Sequence, residues 1–104
     1  MNLEEMVNNS AKAVKLLKAV SNERRLLILC HLLSGEMSVG EMNDKLGLSQ
    51  SALSQHLALL RRNKLVRTRK EAQTVFYSLN SKEAEALIDL MHTLYCSNKN
   101  VQAA

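Results

Sequence analysis

The chain has 104 residues, 46% of them apolar, enough for one packed core spanning residues 1–104 as a single domain. With one Phe, two Tyr, no Trp and no Pro, that core is expected to be aliphatic and its helices long. A net charge of +4 suits a polyanionic partner, and no run approaches the roughly 18 apolar residues a membrane span needs.

The opening Met1-Asn2-Leu3-Glu4-Glu5 has neither the basic start nor the apolar stretch of a signal peptide, so a cytoplasmic location is expected. From Leu3 to Val20, Leu3, Met6, Val7, Ala11, Val14 and Leu17 recur near the helical period and predict a first helix with one apolar stripe. Ser21 is the expected N-cap of a second helix, with Glu23 at its positive end. Leu26, Leu27, Ile28, Leu29, Leu32 and Leu33 make that helix apolar almost all round, hence central, and Gly35 ends it.

Ser38-Val39-Gly40-Glu41 has the form of a capping box and opens a short helix that Gly47 stops after Leu46. Ser49 then caps a helix from Gln50 to about Arg62. Two short helices joined by a tight glycine-containing turn are a helix-turn-helix pattern. Leu65–Arg69 and Thr74–Leu79 are rich in β-branched and aromatic residues and flank a polar turn at Lys70–Gln73, which predicts a β-hairpin. Asn80 is the expected cap of a last helix to about Cys96, followed by a frayed tail, 97–104. The fold class is therefore mainly α with a small β-hairpin: a winged helix-turn-helix of about five helices and a two-stranded wing.

The helix from Gln50 carries the chemistry. Leu53, Leu57 and Leu60 share one face, which holds it to the core, while Gln50, Ser51, Ser54 and Gln55 form the opposite face with His56 beside them. Amide and hydroxyl groups at that spacing suit hydrogen bonds to base edges of double-stranded DNA, whereas a helix meant only for solvent more often carries Glu and Lys. Six of the fourteen basic residues follow within ten positions: Arg61, Arg62, Lys64, Arg67, Arg69 and Lys70. With Gln73 they are expected to lie along phosphates or the adjacent minor groove and to set affinity and register, while the helix sets sequence. His56, next to the core-facing Leu57, is expected to contact phosphate or hold a partly buried hydrogen bond rather than a metal.

An enzyme is excluded on inventory. His31, His56 and His92 stand in no known spacing to a nucleophile, and there is no phosphate-binding glycine loop or metal cluster, so no cofactor is expected.

Asn22-Glu23-Arg24-Arg25-Leu26-Leu27-Ile28-Leu29, the Leu48–Leu57 segment and the hairpin ending Phe76-Tyr77-Ser78-Leu79 together resemble the ArsR/SmtB family of bacterial winged-helix regulators. The resemblance implies a homodimer built through the first and last helices and a palindromic operator. Metal-sensing members carry C-x-C where this chain has Ser38-Val39-Gly40, and soft metals want thiolates. Asp89 and His92 match only half of the last-helix zinc pattern, so metal sensing is set aside. The Arg69–Tyr77 and Leu94-Tyr95-Cys96 stretches resemble members that control toxin genes, which implies activation by displacing a nucleoid silencing protein. Within the family, a persulfide- and redox-responsive branch carries one cysteine on each of two packed helices, and Cys30 and Cys96 match that arrangement. The resemblance implies that a disulfide or polysulfide between them lowers DNA affinity; two ordinary buried thiols are the alternative. Cys96, with Lys99 close in sequence, is the expected accessible thiol. A constitutive DNA-binding antagonist or repressor without a switch also fits these residues.

Overall fold

A computed structural model describes residues 1–96, so the expected tail, 97–104, lies outside the described residues. Within them the order is α1 (Leu3–Val20), α2 (Glu23–Leu32), β1 (Met37–Ser38), α3 (Val39–Leu46), α4 (Gln50–Arg62), β2 (Val66–Glu71), β3 (Thr74–Leu79) and α5 (Lys82–Cys96). The helices, the helix-turn-helix and the hairpin stand where the periodicity puts them.

The core is aliphatic. Ile28, Leu29, Met42, Leu53, Leu60, Val66 and Ile88 are fully or almost fully buried, and every helix contributes to the cluster. α2 runs through its middle and packs on α1, α3, α4, α5 and β3. It is not buried all round, however, because Leu27 faces outward. The stripe on α1 is uncovered in one copy: only Ala19 and Val20 are buried, while Leu3, Met6, Val7, Val14 and Leu17 stay exposed.

Three local expectations change. Asn22, not Ser21, caps α2: its extended backbone lets Oδ1 accept from the Arg24 and Arg25 N–H groups at 2.9 and 3.1 Å. Ser21 instead ends α1, its N–H donating to the Lys18 carbonyl. Ser81, not Asn80, caps α5, accepting from the Ala84 N–H at 3.0 Å. Asn80 is held by the sheet, donating its N–H to the Leu65 carbonyl and accepting from Arg67. The wing has three strands rather than two, in the order β1-β3-β2, all antiparallel. β1 is two residues long, too short to leave an alternation in the sequence.

Candidate nucleic-acid interface

Ser49 Oγ accepts from the Ala52 N–H at 3.2 Å and starts α4. Leu53, Leu57 and Leu60 are at most 2% exposed and pin one face of that helix to the core. Since successive residues on a helix step about 100° around the axis, the opposite face must be presented outward. It carries Gln50, Ser51, Ser54 and Gln55, all exposed, with His56 partly buried at its margin. The entry angle is set by the turn between α3 and α4. Gly47 takes a left-handed φ of 65° there, and its N–H donates to the Asn43 carbonyl.

A cleft of about 560 Å³ runs between α4 and the sheet, lined by Ser54, Arg61 and Arg62 from the helix and Tyr77 from β3. Arg61, Arg62 and Lys64 are exposed at the C-terminal end of α4 and the turn after it. The hairpin adds Arg67, Lys70 and Gln73, also exposed, with Gln73 in the two-residue tip beside Ala72. Alternation along β2 sends Arg67 and Arg69 to one face of the wing and Lys70 to the other.

Arg69 differs from the rest of the basic set. Its Nε and Nη2 donate to both carboxylate oxygens of Glu36 at 2.9 and 2.8 Å, and its Nη1 donates to Glu71 at 3.0 Å. The guanidinium also lies 4.5 Å from the centre of the Phe76 ring. Three of its five N–H groups donate to carboxylates within the molecule.

A family model of bacterial regulatory proteins, arsR family, matches residues 22–68. The chain is 70% identical over 96 residues to the transcriptional activator HlyU of Vibrio cholerae serotype O1, an overlap of 92% of this chain and 89% of that protein. The chain belongs to the ArsR family. Among solved structures, reduced HlyU from Vibrio cholerae superposes with a TM-score of 0.85 at 69% identity, covering 89% of this chain and 98% of that one. The transcriptional repressor BigR from Xylella fastidiosa gives 0.88 at 36%, covering 94% and 100%. As an ArsR-family member this chain is a regulatory protein and not an enzyme.

Ser38 is the N-cap of α3 and Gly40 lies in its first turn, and neither supplies a thiolate. Asp89 and His92 sit exposed, one turn apart on α5. Among the described residues no three His, Cys, Asp or Glu side chains gather as a metal site would require.

The two cysteines lie on packed helices, Cys30 in α2 and Cys96 as the last residue of α5. Both are free thiols, Cys30 partly buried and Cys96 exposed. Burial pushes the Cys30 pKa up, and the neighbouring Cys96 adds to the rise. Lys99 lies outside the described residues.

Two groups at this interface escape a reading of the sequence. Tyr77, recognisable only as a strand residue, lines the cleft beside the polar face of α4. Arg24 and Arg25, at the start of α2, approach α4 closely enough to act on His56. Partial burial holds the His56 pKa below the usual histidine range, and these two cations lower it further. Arg25 is engaged with the end of α1, its Nε donating to the Ala19 carbonyl at 2.6 Å. Arg24 is exposed and adds positive charge to the face. No periodicity signals either contact, because both depend on how α2 crosses α4.

Proposed function

We propose that residues 1–104 form one DNA-binding domain, and that two copies dimerise and bind a palindromic double-stranded operator as a sequence-specific transcriptional regulator. In this reading α4 of each copy lies in the major groove, with Gln50, Ser51, Ser54 and Gln55 toward base edges and His56 near phosphate. Arg61, Arg62, Lys64, Arg67, Lys70 and Gln73 follow the backbone. The observation that carries this is the two-sided character of α4: a leucine face fully buried and an opposite face of exposed amides and hydroxyls. Dimerisation through α1 and α5 is supported by the apolar side chains that one copy leaves uncovered, among them Val7 at 71%, Leu94 at 60% and Tyr95 at 82% exposure.

The likeness to a transcriptional activator supports activation; toxin genes as its targets, and exclusion of a nucleoid silencing protein from the promoter in the cytoplasm as its route, follow from the sequence resemblance. Cys30 and Cys96 form the switch. A peroxide oxidises Cys96 to the sulfenic acid, or an organic persulfide transfers its outer sulfur to Cys96 and leaves as a thiol. The Cys30 thiolate then attacks the Cys96 sulfur, expelling water or hydrosulfide. The resulting disulfide ties α5 to α2 and alters the spacing of the two α4 helices. The packing of α2 on α5 and the accessibility of Cys96 support this. A constitutive antagonist or repressor with no thiol switch is the second reading; the likeness to the repressor BigR bears on repression against activation and not on the switch.

Fluorescence anisotropy on DNA upstream of the protein's own gene tests these readings. If a dimer makes about 6–10 phosphate contacts, affinity falls roughly 10³–10⁵-fold between 50 and 200 mM salt. Reduced protein binds tightly. Protein treated with an organic persulfide binds weakly, and its intact mass shows a Cys30–Cys96 link. Equal affinity in the two states, with the link present, sinks the switch and leaves the constitutive reading.

A further inference from the structure

We infer that Arg69 is a positioning residue rather than a DNA contact: with Glu36 it forms a latch that holds the wing at a fixed angle to the helix-turn-helix. This rests on the DNA-binding reading above and revises one of its expected phosphate contacts.

The latch joins parts of the chain that are distant in sequence. Glu36 lies in the loop between α2 and β1, and Arg69 lies in the middle of β2. Their bidentate contact, at 2.8 and 2.9 Å, is the planar fork geometry in which an arginine–carboxylate pair is strongest. An isolated pair as exposed as this one, with Arg69 half accessible, would contribute little. Here the cation is held three further ways: by Glu71 at 3.0 Å, by the Phe76 ring and by its place in the sheet. The hydrogen bonds from Arg69 also hold the Glu36 carboxyl below the usual carboxylate range, so the pair stays ionised through the neutral range.

Register explains what the latch controls. Arg69 is the cross-strand partner of Phe76, and Phe76 is the partner of Ser38, so the three side chains line up on one face of the sheet. Ser38 is also the N-cap of α3. Its Oγ accepts from the Glu41 N–H at 3.1 Å, and its own N–H donates to Glu41 at 2.9 Å. A continuous row therefore runs from the wing strand β2 through β3 to the first helix of the helix-turn-helix. The hairpin's own pairing, from Val66↔Leu79 to Glu71↔Thr74, fixes its shape. It does not fix the angle between the hairpin and the α2–β1 loop. Val66, Tyr77 and Leu79 anchor the base of the hairpin on the core, and further out two residues of β1 and the Glu36–Arg69 pair add restraint. A DNA phosphate that captured Arg69 would have to take it from two carboxylates and leave both unpaired beside a polyanion.

The test is a double-mutant cycle on operator affinity, with Glu36→Gln, Arg69→Gln and the two combined, each titrated at several salt concentrations and checked for an unchanged thermal midpoint. The latch predicts that each single change weakens binding by a similar factor, about fivefold for a network of this kind. It predicts that the double variant is no worse than the weaker single, and that the salt slope stays at its wild-type value. The role is overturned if Arg69→Gln alone weakens binding and lowers the slope by about one while Glu36→Gln binds as well as or better than wild type. It is equally overturned if none of the variants changes affinity. Wild-type protein that shows no steep salt dependence on any duplex overturns the DNA-binding reading itself, and the latch's role with it.

Discussion

Cys96 ends α5 close enough to Cys30 on α2 that a charge on Cys96 is felt by the Cys30 thiol. The two differ in access: Cys96 is exposed, and Cys30 is partly buried against the core. Since access limits a thiol's encounter with reagent, Cys96 should be the first thiol to be modified. Brief iodoacetamide treatment at neutral pH, read by intact mass and peptide mapping, should place the first adduct on Cys96. Cys96→Ser should remove the fast phase and Cys30→Ser should leave it. An early adduct on Cys30 would reverse the order of the proposed switch.

The raised Cys30 pKa has two consequences with a definite sign. Its labelling in the Cys96→Ser variant, where burial still raises the pKa, should keep climbing above pH 8.5, near which an ordinary thiol is half ionised. Folding stability should fall over the same range. The folded pKa lies above the unfolded one, so the contribution of Cys30 is complete below about pH 8.5 and is lost as pH rises through the folded value. Urea midpoints from pH 7 to 10 should decline less for Cys30→Ser than for wild type.

The two faces of the interface should separate by the kind of loss they cause. Gln50→Ala and Gln55→Ala remove candidate base contacts and should lower affinity for the operator, by about 1–3 kcal/mol where a bidentate pair is lost, while binding to unrelated duplex hardly changes. Arg62→Ala removes a candidate phosphate contact. It should weaken operator and unrelated DNA alike and reduce the salt slope by about one. A uniform loss from the glutamine variants would move base recognition away from α4.

The sequence is most legible where one residue type answers one local need. Ser38 with Glu41, Gly47, Ser49 and the Leu53–Leu57–Leu60 stripe each state their role within a few positions, and each stands where the pattern puts it. Caps go astray where two suitable residues adjoin. At Ser21-Asn22 and Asn80-Ser81 the choice turned on which one the preceding element already held. β1 was invisible because two residues have no period. Arg69 looked like one more cation in a basic run, because a local pattern does not reveal Glu36, which meets it only after the sheet has formed. The exposed stripe on α1 was legible as apolar, and within one copy it stays uncovered; the proposed dimer is what would bury it.

That stripe gives a direct test of assembly. Val7 and Leu17 on α1 and Leu94 on α5 are each more than half exposed within one copy. Leu94→Glu should therefore leave folding intact, shift sedimentation from dimer to monomer and weaken operator binding, because two half-sites are no longer engaged together. A wild-type monomer at micromolar concentration, or a variant that remains dimeric, would move the interface away from α5.

Two glycines, one in the first turn of α3 and one just past its end, should respond to alanine with opposite signs. At Gly47, φ is 65° and an added Cβ would meet nothing within 4 Å. The cost of Gly47→Ala is therefore the left-handed backbone alone, roughly 1–2 kcal/mol. Gly40 lies inside the helix, and an added Cβ would make only ordinary contact with Ser38 Oγ at 3.9 Å. There Ala reduces the freedom lost on folding and should stabilise by about 0.5–1 kcal/mol. Urea unfolding of both variants reads the difference. Only Gly47→Ala should also weaken operator binding, since the turn it strains aims α4, whereas Gly40→Ala leaves that turn untouched. Equal effects on stability would mean that the turn between α3 and α4 relaxes to accept a side chain, and that its geometry is set by the leucines of α4 rather than by Gly47.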